Sequence, residues 1–163
     1  PRAARGVTWL ERLLVSFLVV VALFAASGSE ASAKPAKVDV AAVEFKDEST
    51  KKQTQKRIGT AIRRQAHKAA KHLDFGVRGR VEITFLVRDI TTVEEDGVMS
   101  ITCTLVGRLK GGGSARSKIR FGGKPEKQKK LERQVVAAAT DGVMTRLAQL
   151  SREREKEREK KAD

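Results

Sequence analysis

Two stretches of strict alternation between apolar and polar residues constrain the fold of this chain more than any other feature. Residues 81–87 have an apolar side chain at every second position, and residues 99–105 repeat the pattern. This period of two is typical of a β-strand that buries one face. Glu95-Asp96-Gly97 lies between the two stretches and marks a tight turn, so we expect an antiparallel hairpin. The side chains predicted to share the inner face are Val81, Ile83, Phe85, Val87, Met99, Ile101, Cys103 and Leu105.

Two further strands are predicted around this hairpin. Residues 38–45, VDVAAVEF, form an apolar run without clean alternation, which is typical of a strand with both faces partly covered, and we expect a central strand. Residues 115–121 follow Gly111-Gly112-Gly113 and alternate again, with Ile119 and Phe121 expected inward. We interpret this segment as a third consecutive antiparallel strand.

Two helices are predicted from apolar residues that recur every three or four positions. The first follows Thr50-Lys51-Lys52-Gln53, a capping-box pattern in which Thr50 is expected to cap the helix. The second begins at Pro125, whose missing N–H costs nothing at a first helical position, and its pattern is interrupted at Asp141-Gly142. The apolar stripe of the first helix is Ile58, Ala61, Ile62, Ala66, Ala69, Ala70 and Leu73, and its opposite side carries Lys52, Lys56, Arg63, Arg64, Lys68 and Lys71. The stripe of the second is Leu131, Val135, Ala138, Ala139, Met144, Leu147 and Leu150.

The element order β-α-β-β-β-α predicts an α+β fold of two layers, in which a four-stranded, mainly antiparallel sheet carries both helices on one face. Residues 34–150 would form this single domain. Residues 151–163 have no apolar face, and we expect a charged helical or disordered tail held by local ion pairs. The one cysteine, Cys103, cannot form an internal disulfide, so the domain must rely on packing.

Residues 1–33 have the pattern of an export signal peptide. Three arginines precede a run from 13 to 26 that is apolar except for one serine. As a helix this run would span about 21 Å, which is short against the roughly 30 Å of bilayer hydrocarbon. Ala31-Ser32-Ala33 then offers the small residues that a signal peptidase accepts. We expect cleavage after Ala33 and a periplasmic or secreted location; an uncleaved signal that anchors the chain in the membrane is the alternative.

The charge of the chain is strongly positive. The sequence has 34 lysines and arginines against 20 aspartates and glutamates, a formal net charge of +14. Residues 34–163 keep 31 of the cations and 18 of the carboxylates, a net charge of +13. Such a charge attracts anionic polymers and surfaces. Outside a cytoplasmic membrane these include phosphorylated glycolipid, acidic cell-wall polymers and released nucleic acid.

Two groups of cations are candidate binding residues. The sheet face opposite the helices would mix arginine and lysine with threonine and with Leu86 and Val106, which suits a partner surface, although an ordinary solvated face explains the pattern as well. The second group flanks Gly122-Gly123-Lys124, where the free N–H groups of a helix start could receive an anion. The candidate anion-binding or partner-binding residues are Arg88, Arg108, Arg116, Lys118 and Arg120 on the sheet, and Lys124, Lys127, Lys129 and Lys130 at the helix start.

Catalytic and metal-binding constellations are not recognisable in the sequence. His67 and His72 are five positions apart on one helix, about 140° around its axis, so they cannot share a metal or a proton. Cys103 is predicted to point into the core, where a thiol behaves as a small apolar group. The sequence therefore favours a protein that is not an enzyme and that needs no cofactor and no metal.

The order of strand, helix, three-stranded meander and closing helix after an export signal resembles the small envelope accessory domain represented by the lipopolysaccharide-assembly lipoprotein of outer membranes. This resemblance covers residues 38–150 in element order only, and the chain lacks the cysteine that carries the lipid in that family. The opening VDVAAVEFKDES also resembles the first strand and loop of the amino-terminal domains of Tol-type periplasmic proteins. Both resemblances imply binding or chaperoning of another envelope component, an anionic polymer or a protein.

The same elements also resemble double-stranded RNA-binding domains, in which lysines at the start of the last helix contact phosphates across a groove. Lys124, Lys127, Lys129 and Lys130 and the alanines 137–139 carry this resemblance. The acidic turn Glu94-Glu95-Asp96 replaces the histidine-containing loop of that family. Nucleic-acid binding through phosphate contacts is therefore the alternative to an envelope role.

Overall fold

The computed structural model describes residues 36–47 and 51–162, so the predicted signal peptide and its cleavage site lie outside the described residues. Within this part of the chain no helix is long and apolar enough to cross a membrane. The elements are β1 Lys37–Phe45, α1 Lys52–Ala70, β2 Arg80–Glu95, β3 Val98–Leu109, β4 Ser114–Gly123 and α2 Gln128–Ala162, with a 3₁₀ turn at Pro125–Lys127 before α2.

The four strands form one mixed sheet in the order β1-β2-β3-β4. β1 runs parallel to β2, whereas β2, β3 and β4 form an antiparallel meander. The predicted α+β fold is confirmed, but the prediction that β1 is a central strand is wrong because β1 is an edge strand. Its weak alternation comes from a shift of register between Val40 and Ala42, which transfers the inward positions from Val38 and Val40 to Val43 and Phe45.

The predicted hairpin between β2 and β3 is confirmed. Asp96 and Gly97 connect the strands with φ angles of 51° and 73°, the left-handed pair that a tight hairpin of the type I′ form requires. A second shift of register lies between Val87 and Asp89, so Arg88 has no partner on β3. Beyond it, Asp89 is paired with Thr104 and shares the outer face, while Ile90 turns inward beside Cys103.

Both helices pack on the inner face of the sheet, where the core lies. Ile58, Ile62 and Ala66 of α1 are buried against β1, and α2 crosses β4 and β3. The crossing is close at Gly107, where an added Cβ would lie 2.4 Å from Val143 Cγ1. The fully buried side chains that fill this core include Phe75, Phe85, Ile83, Ile101, Leu105, Met144 and Leu147.

The start of α1 differs from the prediction. Lys51, not Thr50, occupies the cap position, and it makes no side-chain capping hydrogen bond. Its carbonyl oxygen accepts hydrogen bonds from the N–H groups of Thr54 and Gln55, at 2.8 and 3.1 Å. The helix therefore begins one residue later than the capping-box pattern predicts, and the predicted cap Thr50 lies outside the described residues.

The end of the domain also differs in detail from the sequence interpretation. Ile119 packs against the core as predicted, but Phe121 stays 38% exposed because β4 is the outermost strand of the sheet. α2 continues without interruption through Asp141-Gly142 and on to Ala162. The tail begins in contact with the domain, since Arg154 Nη1 donates to the carbonyl oxygens of Gly111 and Gly112 in the β3–β4 loop.

Candidate anion-binding surface

The structure separates the candidate binding residues into two groups on opposite sides of the molecule. Arg108, Arg116, Lys118 and Arg120 lie on the outer face of the sheet, where Arg116, Lys118 and Arg120 are paired with Val106, Thr104 and Thr102 of β3. Arg88 is exposed at the register shift of β2. Lys124, Lys127, Lys129 and Lys130 are exposed at the start of α2, in the helix layer. The two groups therefore cannot form one site.

The outer sheet face is not uniformly basic. Arg108, Arg116, Lys118 and Arg120 lie on β3 and β4, whereas the carboxylates Glu44, Glu82 and Asp89 lie on β1 and β2. Lys37 and Arg80 share this face at one end of β1 and β2, and Arg80 forms an ion pair with Asp39 at 2.6 Å. Glu82 forms an ion pair with Lys110 at 2.8 Å. Such a surface has opposite charges at its two sides, which does not favour a polyanion over the whole face.

The helix layer contains a groove between α1 and α2 that is lined mainly by cations. Arg57, Arg64, Lys68 and Lys71 follow one another on α1 at steps of seven, four and three residues, which places them on one stripe of the helix. Arg133 of α2 lines the other side. The groove encloses about 690 Å³, and its floor is apolar, formed by Ile58, Ala61, Val136 and Ala137.

Two polar contacts hold the walls of this groove together. Arg57 Nη2 donates to both carboxylate oxygens of Glu132, at 2.8 and 2.9 Å. Gln65 Nε2 donates to both carboxylate oxygens of Asp141 at the same two distances. Both contacts run from α1 to α2, so the spacing of the helices around the groove is fixed by side chains on each wall.

Most of the positive charge in the groove is not compensated by the protein. Five cations and one carboxylate, Glu132, line it, a net charge of +4. Within residues 36–47 and 51–162, the side chains of Arg64, Lys68, Lys71 and Arg133 have no hydrogen-bond or ion-pair partner. Four unpaired cations around an apolar floor concentrate a positive field in a concave space, which is the arrangement that attracts anions.

The groove continues into two shallower depressions along the helices. One, of about 580 Å³, shares Arg57 and Thr60 with the groove and adds Lys56 and Lys129. The other, of about 640 Å³, lies over the start of α2 and shares Lys129 and Arg133 with its neighbours. We call the whole area the helix-layer basic surface; its cations are Lys56, Arg57, Arg64, Lys68, Lys71, Lys127, Lys129, Lys130 and Arg133.

Sequence reasoning found part of this surface. Lys127, Lys129 and Lys130 belong to it, whereas Lys124 lines none of the three depressions. The sequence predicts the cations of α1 only as the polar side of a helix, and the predicted binding residues do not include Arg57 or Arg133. The spacing of the cations at positions 57, 64, 68 and 71 is the sequence feature that could have predicted this part of the surface. Arg63, the neighbour of Arg64, points away to β1 and donates to the carbonyl oxygen of Val40 at 2.8 Å.

Among the described residues no group of side chains arranged for catalysis lies beside this surface. His67 lines the groove and is exposed. His72 is also exposed, but it lies beyond the end of α1, so the prediction that both histidines lie on one helix is wrong. Burial, with a smaller contribution from Asp89, raises the pKa of the fully buried Cys103 thiol to about 12, so it is not a nucleophile at neutral pH. No cluster of three potential metal ligands occurs among the residues that the structure describes.

Comparisons with known proteins find partial structural likenesses at low sequence identity. No protein-family model matches the sequence, and no curated protein matches it. A proposed lipoprotein of Caulobacter crescentus CB15 superposes with a TM-score of 0.45 at 16% identity, over 58% of this chain and 83% of its own. A minor lipoprotein of Acinetobacter baumannii superposes with a TM-score of 0.43 at 8% identity, over 72% of this chain and 92% of its own. The hypothetical protein CT253 of Chlamydia trachomatis superposes with a TM-score of 0.40 at 13% identity, over 68% of this chain and 98% of its own.

Two of these three neighbours are described as lipoproteins. Because fold does not determine function, the role of this chain has to be argued from its own surfaces.

Proposed function

We propose that this protein is an exported, non-enzymatic accessory protein of a cell envelope, and that its helix-layer basic surface binds an anionic envelope component. The observation that carries the proposal is the set of unpaired cations, Arg64, Lys68, Lys71 and Arg133, around the groove between α1 and α2. The signal-peptide pattern of residues 1–33 supports export.

The side chains of the four unpaired cations of the groove make no hydrogen bond or ion pair among the described residues that would explain their arrangement. Arg64, Lys68 and Lys71 lie on the same stripe of one helix, where like charges three or four positions apart are destabilising by a few tenths of a kcal/mol. Each repulsion is relieved when an anion binds between the side chains. A chain that keeps such a stripe facing a groove gains from it only when the groove is occupied.

The shape of the surface favours an anion with several charges. The three depressions adjoin one another along both helices and share Arg57, Lys129 and Arg133. A small ion would occupy one of them, whereas the phosphorylated head of a glycolipid or a segment of an acidic polymer would contact cations of both helices. Phosphate contacts of this kind weaken as the salt concentration rises.

Vesicle binding tests the proposal with two variants of equal charge. The groove variant replaces Arg64, Lys68 and Lys71 with glutamine, and the sheet variant makes the same change at Arg116, Lys118 and Arg120. Co-sedimentation is measured with vesicles that contain phosphorylated glycolipid, and binding to neutral phosphatidylcholine vesicles is subtracted, which removes the apolar contribution of residues 1–33. The three arginines of that segment are the same in both variants and in the unchanged protein. Circular dichroism confirms that both variants are folded.

The proposal predicts that the groove variant loses about 3 kcal/mol of vesicle binding, roughly a hundredfold, because each cation near an anionic surface contributes about 1 kcal/mol. The sheet variant is expected to bind nearly as the unchanged protein does. Equal losses in the two variants would show that net charge alone drives binding, and a larger loss in the sheet variant would place the contact on the other layer.

Nucleic-acid binding is the second candidate function, and the exposed lysines at the start of α2 favour it. Lys127, Lys129 and Lys130 extend the groove toward Lys56 of α1, so a phosphate backbone could follow the helix layer. Filter binding with double-stranded RNA at rising salt measures this directly. Tighter binding to RNA than to phosphorylated glycolipid vesicles, together with recovery of the intact chain from cytoplasm, would support this function and reject the envelope role.

A further inference from the structure

The outer face of the sheet is not covered by any other element among the described residues. α1 and α2 both pack on the inner face, and the outer side chains of β1 to β4 are exposed or half-buried, with the exception of Thr104. Leu86 and Val106 lie side by side at the centre of this face, and both stay partly accessible. The uncovered face is independent of the helix-layer basic surface, which lies on the opposite side.

One row of side chains across this face is arranged as acid, apolar, apolar, base. The register aligns Glu44 of β1 with Leu86 of β2, Leu86 with Val106 of β3, and Val106 with Arg116 of β4. Glu44 and Arg116 are both exposed, and neither has a hydrogen-bond or ion-pair partner in residues 36–47 and 51–162. They lie at opposite edges of the sheet, three strand spacings of about 4.8 Å apart, and therefore do not neutralise each other.

We infer that this face binds a second copy of the chain, and that the two sheets pack face to face around a two-fold axis parallel to the strands. Rotation about this axis reverses the order of the strands, so Glu44 of each copy lies opposite Arg116 of the other. The same rotation places Leu86 opposite Val106. The row is complementary to itself, which is the property that a two-fold interface requires.

Two neighbouring rows are complementary under the same rotation. Glu82 and Lys110, which pair within one chain at 2.8 Å, would lie opposite Lys110 and Glu82 of the other copy and form a cluster of four alternating charges. Asp89 of β2, in the row of Thr104 and Lys118, would lie one strand spacing from Lys118 of the other copy. In these three rows the carboxylates Glu44, Glu82 and Asp89 thus lie opposite or beside cations of the other copy.

The charges also exclude the other in-plane axis. A two-fold axis perpendicular to the strands would place each strand opposite its own copy, so the carboxylates of β1 and β2 would face β1 and β2, and the cations of β4 would face β4. Like charges in such positions cost free energy, whereas opposite charges fix the register of an interface. The parallel axis matches the way in which two sheets pack in a sandwich, with strand directions within about 30° of each other and about 10 Å between the sheets.

The area of the face is sufficient for a reversible dimer. Four strands about 4.8 Å apart and about ten residues long, at about 3.3 Å each, give roughly 600 Å² on each copy. This is near the lower end of specific interfaces, which bury about 800 Å² on each partner. The net positive charge of each copy opposes association. Salt at about 0.15 M screens this long-range repulsion more strongly than it screens the attraction between opposite charges in close pairs.

Sedimentation equilibrium of the full chain at about 0.15 M salt tests the dimer. The unchanged protein is expected to show a reversible monomer–dimer equilibrium. Glu44→Arg and Arg116→Glu, each made alone, bring like charges together and should raise the dimer dissociation constant at least about tenfold, whereas the double variant restores opposite charges and should restore the dimer. Lys129→Glu in the helix layer makes the same change of charge as Arg116→Glu and should not weaken the dimer.

Three results would overturn this inference. A protein that stays monomeric at every concentration would leave the face to another occupant. Single variants that dimerise as the unchanged protein does would show that this face is not the interface. A double variant as weak as the single ones would show that Glu44 and Arg116 do not meet, and circular dichroism of each variant separates these results from loss of the fold. The vesicle experiment is run at a protein concentration at which the unchanged protein is monomeric, so loss of the dimer in the sheet variant does not affect it and either proposal can fail alone.

Discussion

Gln65 Nε2 donates to both carboxylate oxygens of Asp141, at 2.8 and 2.9 Å, and this contact joins α1 to α2 where the apolar pattern of α2 is interrupted. The interruption therefore has a structural use. Asp141 holds the helices at the groove, and Gly142 beside it leaves space for β4, because an added Cβ would lie 3.0 Å from Ser117 Oγ. The positions that looked like defects in the sequence of α2 are contacts of the folded protein.

Replacing Asp141 with alanine should destabilise the protein by about 1 to 2 kcal/mol. The change removes the acceptor of the Gln65 amide in a part-buried position, and hydrogen bonds to charged groups contribute about this much. Urea unfolding followed by circular dichroism measures the loss. Asp141→Asn keeps an acceptor oxygen and is the matched control, expected to lose less than half as much; equal losses in both variants would contradict the account of this contact.

Replacing Gly107 with alanine should destabilise the protein by about 1 to 3 kcal/mol, the usual cost of overfilling a packed core. The new Cβ would lie 2.4 Å from Val143 Cγ1 and 2.9 Å from Leu147 Cδ1, so α2 would have to move away from β3. Gly122→Ala on β4 is the matched control, because its Cβ would meet no atom closer than 3.8 Å. Thermal unfolding that gave equal losses for the two variants would contradict the close crossing at Gly107.

The stability of the protein should fall between pH 9 and pH 12 in a way that depends on Cys103. Its pKa is raised from an ordinary value of 9.0 to about 12, first by burial and then by Asp89. Above pH 9 the unfolded chain loses the thiol proton while the folded chain keeps it, so the stabilisation present below pH 9 is lost as the pH approaches 12. The loss is at most about 1.4 kcal/mol per pH unit.

Comparison of Cys103→Ala with the unchanged protein isolates this effect. Cys103→Ala loses packing, and this loss of stability does not change with pH. The variant has no thiol that titrates at position 103, and deprotonation of the lysines affects both proteins equally. The difference in free energy of unfolding between the two should therefore shrink from pH 9 to pH 11, as measured by urea unfolding at each pH. A difference that stayed constant over this range would contradict a protonated, buried thiol.

The sequence predicts features of this fold that depend on local periodicity. The alternation in residues 81–87 and 99–105 predicted both strands and their inner faces because each side chain of a strand alternates with its neighbour. The register shifts at Val40 and Val87 were not predictable in this way. A single extra residue reverses the pattern, which made β1 look like a strand covered on both faces and concealed its place at the edge of the sheet.

The candidate site was predicted less well than the fold because it lies between two elements. Lysines 127, 129 and 130 were identified from a local rule about helix starts, but the groove depends on which sides of α1 and α2 face each other across the layer. Arg63 and Arg64 show the difficulty. They are neighbours in the sequence, yet one donates to Val40 of β1 and the other lines the groove, because adjacent residues of a helix point about 100° apart.

The central claim, that the groove between α1 and α2 is the anion-binding site, is tested most directly by mapping where an anion binds. Backbone amide spectra of the ¹⁵N-labelled protein, titrated with the soluble phosphorylated head group of a glycolipid, report the location residue by residue. We expect the largest shifts in residues 57–71 and 129–137, with smaller ones in β4. Largest shifts in residues 114–123, or no saturable shifts at all, would contradict the claim.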